Sequence, residues 1–275
     1  MIIDFHQHFY PDSLAPRVLR QLSRASGLTP LTDGTLAGTV AKNREWGVDR
    51  GVLLPVATSP DCGAVNRFAL SCPEGAVIPF AAVHPDTPDP EALLESMMEQ
   101  GCKGVKLHPQ YQGADIDDPR FVRIIRHAGR IGLPVIFHAG WDPGLPPPWR
   151  AAPEAIIRLL DRVKDLPDLV LIAAHLGSLD MYDEVERTLA GRDLWFDTAM
   201  LHGRIAPEQL YRIVSRHGWQ RILMGSDCPW QSAADAVADI RALSLPSEQE
   251  QGILGGNAAK LLDLPAAGQE GEFPA

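Results

Sequence analysis

Cysteine is scarce in this sequence, and none of its four cysteines forms a Cys-X-X-Cys pair. The chain therefore lacks the density of a disulfide scaffold, and so few thiols in 275 residues are typical of a reducing compartment. The first residues lack the basic start and apolar stretch of a signal peptide. No apolar run reaches the roughly 18 residues needed to span a bilayer. We therefore expect a cytoplasmic protein with no membrane partner.

Positive charge is also in deficit. The chain carries 25 lysines and arginines against 35 aspartates and glutamates, a formal charge of -10, and the acidic residues are scattered. This balance argues against nucleic acid or an anionic membrane as the natural partner. It leaves a small-molecule substrate, even an anionic one, because a metal or a local lysine can reverse the field inside a pocket.

What the sequence does contain is a regular alternation of short apolar runs and helical patterns. Helical segments such as residues 91–98 and 154–160 repeat apolar residues at intervals of three and four. The apolar runs are hydrophobic on both faces, which is typical of parallel strands covered by helices. Eight such runs occur, at residues 2–6, 51–57, 77–84, 104–108, 134–138, 170–175, 194–198 and 222–227.

Eight strand-then-helix units in about 260 residues predict an α/β fold, a single-domain (β/α)8 TIM barrel over residues 1–264. An open doubly wound sheet is the alternative. It would normally carry a Gly-rich phosphate loop after the first strand, where this chain has Asp-Phe-His-Gln-His. Residues 9–35 and 140–152 are expected at the C-terminal mouth, as a lid, a pocket wall or plain surface loops. For residues 265–275 we expect a loosely ordered tail.

Ionisable residues concentrate at the ends of the predicted strands. In a barrel these ends converge on one mouth, and a buried imidazole or carboxylate costs several kcal/mol unless it is paired or binds a metal. The pattern therefore predicts a site there. The residues concerned are His6, His8, His84, His108, His138, His175, Asp197 and Asp227.

The first strand carries the sharpest of these signals. Alternation places His6 and His8 on one face, so both imidazoles can reach one cation. Neutral imidazole with a carboxylate suits Zn(II), and also Mn(II), Fe(II) or Co(II). Two histidines that merely hydrogen-bond at a strand end are the alternative, which the presence of His138, His175 and Asp227 at other strand ends makes less favoured.

Taken together, these motifs resemble the amidohydrolase superfamily, and within it the amidohydrolase-related branch that also contains metal-dependent decarboxylases. The resemblance extends over residues 2–264. The metal-dependent deoxyribonucleases of the superfamily fit poorly, because strand four carries Lys106 and His108 in place of their glutamate. The matching segments, in order, are DFHQH, GVKLHP, PVIFHAG, LIAAHLG, ILMGSDCPW and ILGGNAAKLL.

The resemblance implies a ligand set and a reaction class. It implies His6, His8 and His138 as metal ligands, and Asp227 as a ligand or as the base for the attacking water. His175 would hold a second metal or, in a one-metal site, polarise the substrate or pass a proton. We therefore expect a hydrolase of an amide, lactone or ester that uses metal-activated water, most simply with Zn(II). A non-oxidative decarboxylase of a small carboxylic acid is the alternative, and a non-catalytic metal-binding barrel is a third hypothesis.

Several residues keep two interpretations each. Lys106 resembles the lysine that is carbamylated and bridges two metals in some relatives; we favour a plain buried cation paired with Asp4 or with a substrate carboxylate. His84 and His108 either contact substrate or hold loops by hydrogen bonds. Trp141 is a candidate pocket wall. The number of metal ions and the formation of homo-oligomers stay open.

The remaining ionisable positions are weaker candidates. Asp197 either orients a ligand histidine from behind or caps the helix that follows. His202 follows strand seven and carries less weight than the others. His127 and His217 fall within helical segments, so we expect them at the surface or in packing contacts.

Overall fold

A computed structural model of the chain describes residues 1–73 and 75–264, so the predicted tail at 265–275 lies outside the described residues. Parallel strands form its centre. The strands are β1 (Ile3–Gln7), β2 (Arg50–Leu53), β3 (Val77–Pro79), β4 (Ala81–Ala82), β5 (Val105–Leu107), β6 (Val135–Phe137), β7 (Leu171–Ala173), β8 (Trp195–Asp197) and β9 (Ile222–Leu223).

Helices follow the strands along the chain. A short 3-10 turn, Trp219–Arg221, precedes β9, and a π-helical turn, Gly252–Gly256, precedes the last helix. No helix in the described ranges is long and apolar enough to cross a membrane. The α-helices are α1 (Ala15–Ser26), α2 (Leu36–Trp46), α3 (Gly63–Leu70), α4 (Pro90–Glu99), α5 (Pro109–Gln112), α6 (Pro119–Arg130), α7 (Pro153–Val163), α8 (Tyr182–Thr188), α9 (Pro207–His217), α10 (Ala233–Ala242), α11 (Ser247–Gln251) and α12 (Asn257–Leu261).

The strands close into a barrel in sequence order. One sheet has the order β1-β2-β3 and the other β4 through β9, all parallel. Phe80 joins them: it separates β3 from β4, and its N–H donates to the carbonyl of Leu53 at 3.2 Å. At the other side Phe5 N–H donates to Met224 O at 2.8 Å, and Gln7 pairs with Cys228. Because β3 and β4 form one interrupted strand, the fold is the predicted (β/α)8 barrel.

Each predicted apolar run overlaps a strand, and from the second run onward the paired segments are shorter than the runs. After β7, His175 adopts a left-handed φ of 58°, and after β9 Asp227 adopts a φ of 70°. These conformations bend the chain out of the sheet where the polar residues begin. Regular pairing therefore ends just before the site, and hydrophobicity alone could not mark that boundary.

The helix boundaries follow local cap chemistry. Asp89 and Asp118 precede α4 and α6, and each accepts a hydrogen bond from a backbone N–H in the first turn. Both helices then start with proline, whose missing N–H costs nothing at that position. The buried face of α6, which includes Phe121 and Ile125, packs in the same apolar cluster as β5 and β6.

This packing decides which strand residues face the barrel interior. Val105 and Leu107 of β5 are buried in the cluster shared with the helices. Since side chains alternate along a strand, Lys106 points to the opposite side, into the barrel. The same alternation directs Ile136 inward on β6, with His138 two residues further towards the mouth.

Candidate active site

β1 brings two imidazoles into contact at the mouth. The Nε2 atoms of His6 and His8 lie 3.1 Å apart. His6 Nδ1 lies 2.7 Å from Asp197 Oδ2, and His8 Nδ1 lies 2.9 Å from the carbonyl oxygen of Leu54. Both partners are acceptors, so the hydrogen-bond network assigns each ring proton to Nδ1. Each Nε2 therefore presents a lone pair.

Asp227 faces both of these lone pairs. Its Oδ1 lies 3.3 Å from His6 Nε2 and 3.0 Å from His8 Nε2. Its left-handed backbone costs roughly 1–2 kcal/mol for a non-glycine residue, and a hydrogen bond from its N–H to His6 O at 2.9 Å helps to hold it. Burial acts to raise the pKa of Asp227, but protonated His6 and His8 beside it would outweigh burial and lower that pKa to about 2. A cation bound at the same place would supply that positive charge when both rings are neutral, and the carboxylate is then ionised.

A buried carboxylate behind the site ties β1 to the turn after β9. Asp4 Oδ1 accepts from the backbone N–H groups of His6 at 3.1 Å and Ser226 at 2.8 Å. Its Oδ2 accepts from Gln7 Nε2 at 2.8 Å and from the Ser226 hydroxyl. Burial raises the pKa of Asp4 to about 6. Because Asp4 is committed to these donors, the predicted pairing of Lys106 with Asp4 is not found among the described residues.

Lys106 is buried beside the metal-ligand candidates. Its Nζ lies 3.3 Å from His6 Nε2, and it has no carboxylate oxygen within 4.0 Å in residues 1–73 and 75–264. Burial lowers the pKa of Lys106 to about 8, against the opposing effect of Asp197 and Asp227. The side chain thus reaches the location that both of its interpretations require, and its carbamylation stays a prediction.

His138 and His175, which follow β6 and β7, form a hydrogen-bonded pair. His175 Nδ1 lies 3.2 Å from Ala199 O, so its Nε2 accepts from the Nδ1–H of His138 at 3.0 Å. The Nε2 atom of His138 is then left buried with no hydrogen-bond partner in the described chain. Leaving a buried ring nitrogen unpaired costs about 1–3 kcal/mol, which a bound ligand would offset.

Asp197, the last residue of β8, connects His6 of β1 with His175, which follows β7. Its Oδ2 accepts from His6 Nδ1, and its Oδ1 accepts from the backbone N–H of His175 at 2.7 Å. The next helix, α9, begins only at Pro207. The contacts therefore support the orienting interpretation of Asp197 over the helix cap.

A second cluster adjoins the first and includes a residue that sequence reasoning missed. The rings of His108 and His138 stack at 4.3 Å and 7°. Asp142 is 5% exposed and places Oδ2 3.8 Å from His108 Nε2. It lies within the long loop 140–152, outside the strand ends. Only its Asp-Pro-Gly turn, in which Oδ1 accepts from Gly144 N at 2.8 Å, was a local signal.

The other candidates are peripheral. His84 Nδ1 accepts from Asp86 N–H at 3.1 Å, which is the loop-holding interpretation. Trp141 is partly buried, and the guanidinium of Arg204 lies 5.0 Å from its ring centroid. His202 is exposed and pairs with the carboxylate of Asp239. Substrate contact by His84 or Trp141 stays a prediction.

The donor set fits a divalent cation. Burial lowers the pKa of His6 and of His138 well below the usual range, so these rings are neutral. Neutral imidazoles with an ionised carboxylate are preferred ligands of divalent transition metals. Of the predicted ligands, His138 lies in a separate group, next to His175. Three groups have ligand atoms within 4.8 Å of one another: His6, His8 and Asp227; His6, His175 and Asp197; and His108, His138 and Asp142.

Solved structures with the same architecture include both lyases and hydrolases. The 5-carboxyvanillate decarboxylase of Sphingomonas paucimobilis is 14% identical, with a TM-score of 0.71, over 96% of this chain and 99% of that one. The putative 2-pyrone-4,6-dicarboxylic acid hydrolase of Pseudomonas putida is 20% identical, with a TM-score of 0.68, over 95% and 97%. A dihydroxybenzoic acid decarboxylase from Polaromonas sp. JS666 with bound manganese is 14% identical, with a TM-score of 0.71, over 95% and 96%.

Sequence comparison assigns the family. No sequence among curated proteins matches significantly. The family model described as amidohydrolase matches residues 3–264, which is nearly the whole chain. That span includes every strand of the barrel and every residue of the candidate site. The chain therefore belongs to the amidohydrolase family.

Proposed function

We propose that the chain is a metal-dependent hydrolase that cleaves an amide, lactone or ester of a small molecule. The observation that carries this proposal is the ionised carboxylate of Asp227 in contact with both His6 and His8. A nucleophilic water needs a proton acceptor beside the metal ligands, and Asp227 is in that place. A cytoplasmic location and the absence of nucleic-acid or membrane partners belong to the same proposal.

The metal would be held by His6, His8 and Asp227, with His138 as a further ligand. Zn(II) is our proposed ion, and Mn(II), Fe(II) and Co(II) are alternatives for the same donor atoms. When bound, a divalent ion polarises a substrate oxygen and lowers the pKa of water. The Nε2 atoms of the three histidines support this assignment, since each belongs to a ring anchored through Nδ1. His6 Nε2 also lies 3.3 Å from Lys106 Nζ, which a bound ion would displace.

The remaining side chains would orient groups and move protons. Asp227 would take a proton from the attacking water and return it to the leaving group. Asp197 fixes the ring of His6 by accepting from Nδ1. His175 and His138 hold a proton between them, 3.0 Å apart, at the edge of the site. Lys106 would offer its ammonium group to a substrate oxygen.

Decarboxylation of a small carboxylic acid is the second candidate, and Lys106 is the observation that favours it. A buried ammonium group with no carboxylate partner in the described ranges can bind a substrate carboxylate. Two of the three similar structures described above are decarboxylases, which supports this candidate at the level of fold. Carbon dioxide release from a panel of aromatic carboxylic acids would distinguish it from ester or lactone hydrolysis.

Substitution of Asp227 tests the hydrolytic proposal. Asp227→Asn keeps the shape of the side chain but removes the proton acceptor, so we expect kcat to fall by roughly 10³-fold or more while most of the metal stays bound. Turnover of a lactone or ester panel and elemental analysis provide the two readouts. Asp239→Asn, an exposed carboxylate paired with His202, is the matched control. Near-normal turnover in Asp227→Asn would remove the mechanism.

A further inference from the structure

We propose that the site takes a neutral, hydroxylated substrate and that Asp142 and His108 together bind one of its hydroxyl groups. This substrate class rests on the proposed hydrolytic function, because the hydroxyl group would be recognised beside the bond that is cleaved. Recognition of this hydroxyl group assigns to the loop 140–152 a specific part in substrate choice.

The carboxylate of Asp142 has an uncommitted acceptor oxygen. Asp142 is almost fully buried, and its Oδ1 accepts from the backbone N–H of Gly144 at 2.8 Å. Its Oδ2 has no hydrogen bond among the described residues; the Nε2 of His108, at 3.8 Å, is too far away to make one. A turn of this kind uses one oxygen only. The second oxygen is available to a donor that the described residues do not supply.

His108 supplies a hydrogen-bond donor that matches this acceptor. His108 Nδ1 accepts the backbone N–H of Tyr111, at a long 3.4 Å, which assigns the ring proton to Nε2. That N–H is on the side of the ring facing Asp142. A hydroxyl group accepts one hydrogen bond and donates another, so it suits a donor and an acceptor held apart. An oxygen about 2.8 Å from each atom spans their 3.8 Å separation.

His108 and Asp142 lie close to His138, a proposed metal ligand. The ring of His108 stacks on His138, whose buried Nε2 has no hydrogen-bond partner in residues 1–73 and 75–264. Ligand atoms of His108, His138 and Asp142 lie within 4.8 Å of one another. A group bound between His108 and Asp142 is therefore close to His138. The ring of Tyr111 packs edge-on against His108, with the ring centroids 4.5 Å apart.

The charge around Asp142 limits which substrate groups can bind there. Among the described residues, Asp142 Oδ2 has no lysine or arginine nitrogen within 4.0 Å, and His108 is its one ion-pair neighbour. A substrate carboxylate placed there would be repelled by the carboxylate of Asp142. A neutral hydroxyl group is therefore favoured at this position.

Two lactones with the same six-membered ring test the proposal on the metal-loaded protein. D-Glucono-1,5-lactone carries hydroxyl groups and δ-valerolactone carries none. We expect kcat/KM, corrected for spontaneous hydrolysis, to favour the hydroxylated lactone by about 10-fold or more, the value of one or two hydrogen bonds in a buried site. A lactone bearing a carboxylate is expected to be the poorest substrate of the three.

Asp142→Asn makes the test specific. It replaces the free Oδ2 acceptor by an NH2 donor and leaves Oδ1 for Gly144, so the loop keeps its turn. The preference for the hydroxylated lactone should then fall by about 10-fold. Asp115→Asn, an exposed carboxylate paired with Arg150, is the control and should leave the preference unchanged.

Binding of the corresponding lactams, measured by calorimetry, separates the two proposals. If neither lactone is cleaved but the hydroxylated lactam binds more tightly in a manner lost in Asp142→Asn, the hydroxyl subsite stands and the hydrolase fails. If both lactones are cleaved equally well and Asp142→Asn changes nothing, the subsite is wrong and the hydrolase stands. A preference for the carboxylated lactone would also overturn the subsite.

Discussion

His217 and His138 are both buried histidines, but their hydrogen bonds differ. His217 is satisfied at both nitrogens: Nδ1 accepts from Gly191 N–H at 3.2 Å, and Nε2 donates to Leu194 O at 2.8 Å. His138 uses Nδ1 only, and its Nε2 has no partner in the described chain. Both rings are buried, so burial does not distinguish the structural histidine from the proposed metal ligand. The nitrogen without a partner is what distinguishes His138 from His217.

β8 connects these two regions of the molecule. Phe196 points outward and its ring stacks on His217 at 4.0 Å, between the barrel and α9. Asp197, the next residue, points inward and accepts from His6. The alternation of one strand thus serves a closed packing contact on one side and a site with free lone pairs on the other.

The largest effect expected from this comparison is on metal content. His6→Ala/His8→Ala removes two of the Nε2 atoms proposed to bind the metal. We therefore expect bound transition metal to fall from about one or two ions per chain to below about 0.1. Elemental mass spectrometry measures it. His217→Gln, which alters only the satisfied histidine, should keep its metal. Metal that persists in the double variant would show that the free lone pairs do not form the site.

The same measurement counts the ions. One ion per chain supports a site built from His6, His8, His138 and Asp227. Two ions would point to Lys106 as a carbamylated bridge, which a mass increase on that lysine in the intact protein would reveal.

A stability effect of about 3 kcal/mol is expected at the satisfied histidine. Burial lowers the pKa of His217 to about 4 from 6.5. Its contribution to stability is complete above pH 6.5 and decreases as the pH falls towards 4, because the unfolded chain takes up the proton first. The expected loss from pH 7 is about 2 kcal/mol at pH 5 and about 3 kcal/mol at pH 4.

Urea denaturation at several pH values measures this loss. His217→Gln keeps a donor for Leu194 O and cannot titrate, so the part of the pH dependence due to His217 should disappear in it. Equal pH dependence in the two proteins would contradict the neutral, satisfied state of the ring.

A smaller effect is expected from Asp197, which supports the site without binding the metal in our proposal. Asp197→Asn weakens the acceptor for His6 Nδ1–H, and loss of such a partner typically costs 10- to 100-fold in metal affinity. Competition with a chromophoric chelator measures the change. Asp239→Asn, which removes the exposed partner of His202, should leave affinity unaltered. Unaltered affinity in Asp197→Asn would reassign Asp197 to backbone support of His175.

The sequence by itself determined the barrel and the position of the site. Its apolar runs and helical periods are local patterns, and they predicted all eight barrel strands because burial on both faces leaves a clear record in composition. The alternation in β1 likewise predicted that His6 and His8 share one face, and the structure has their Nε2 atoms 3.1 Å apart.

Only the tertiary structure decided which polar atoms are already used. Asp197 and His6 are 191 residues apart in sequence, and their hydrogen bond assigns the proton on the ring. Asp142 enters the site from a loop whose path no local period describes. Lys106 was expected to pair with Asp4 or with a substrate carboxylate, but Asp4 accepts hydrogen bonds from Ser226, 222 residues away from it in the sequence. Local patterns place side chains on faces, whereas hydrogen-bond partners depend on the closing of the barrel.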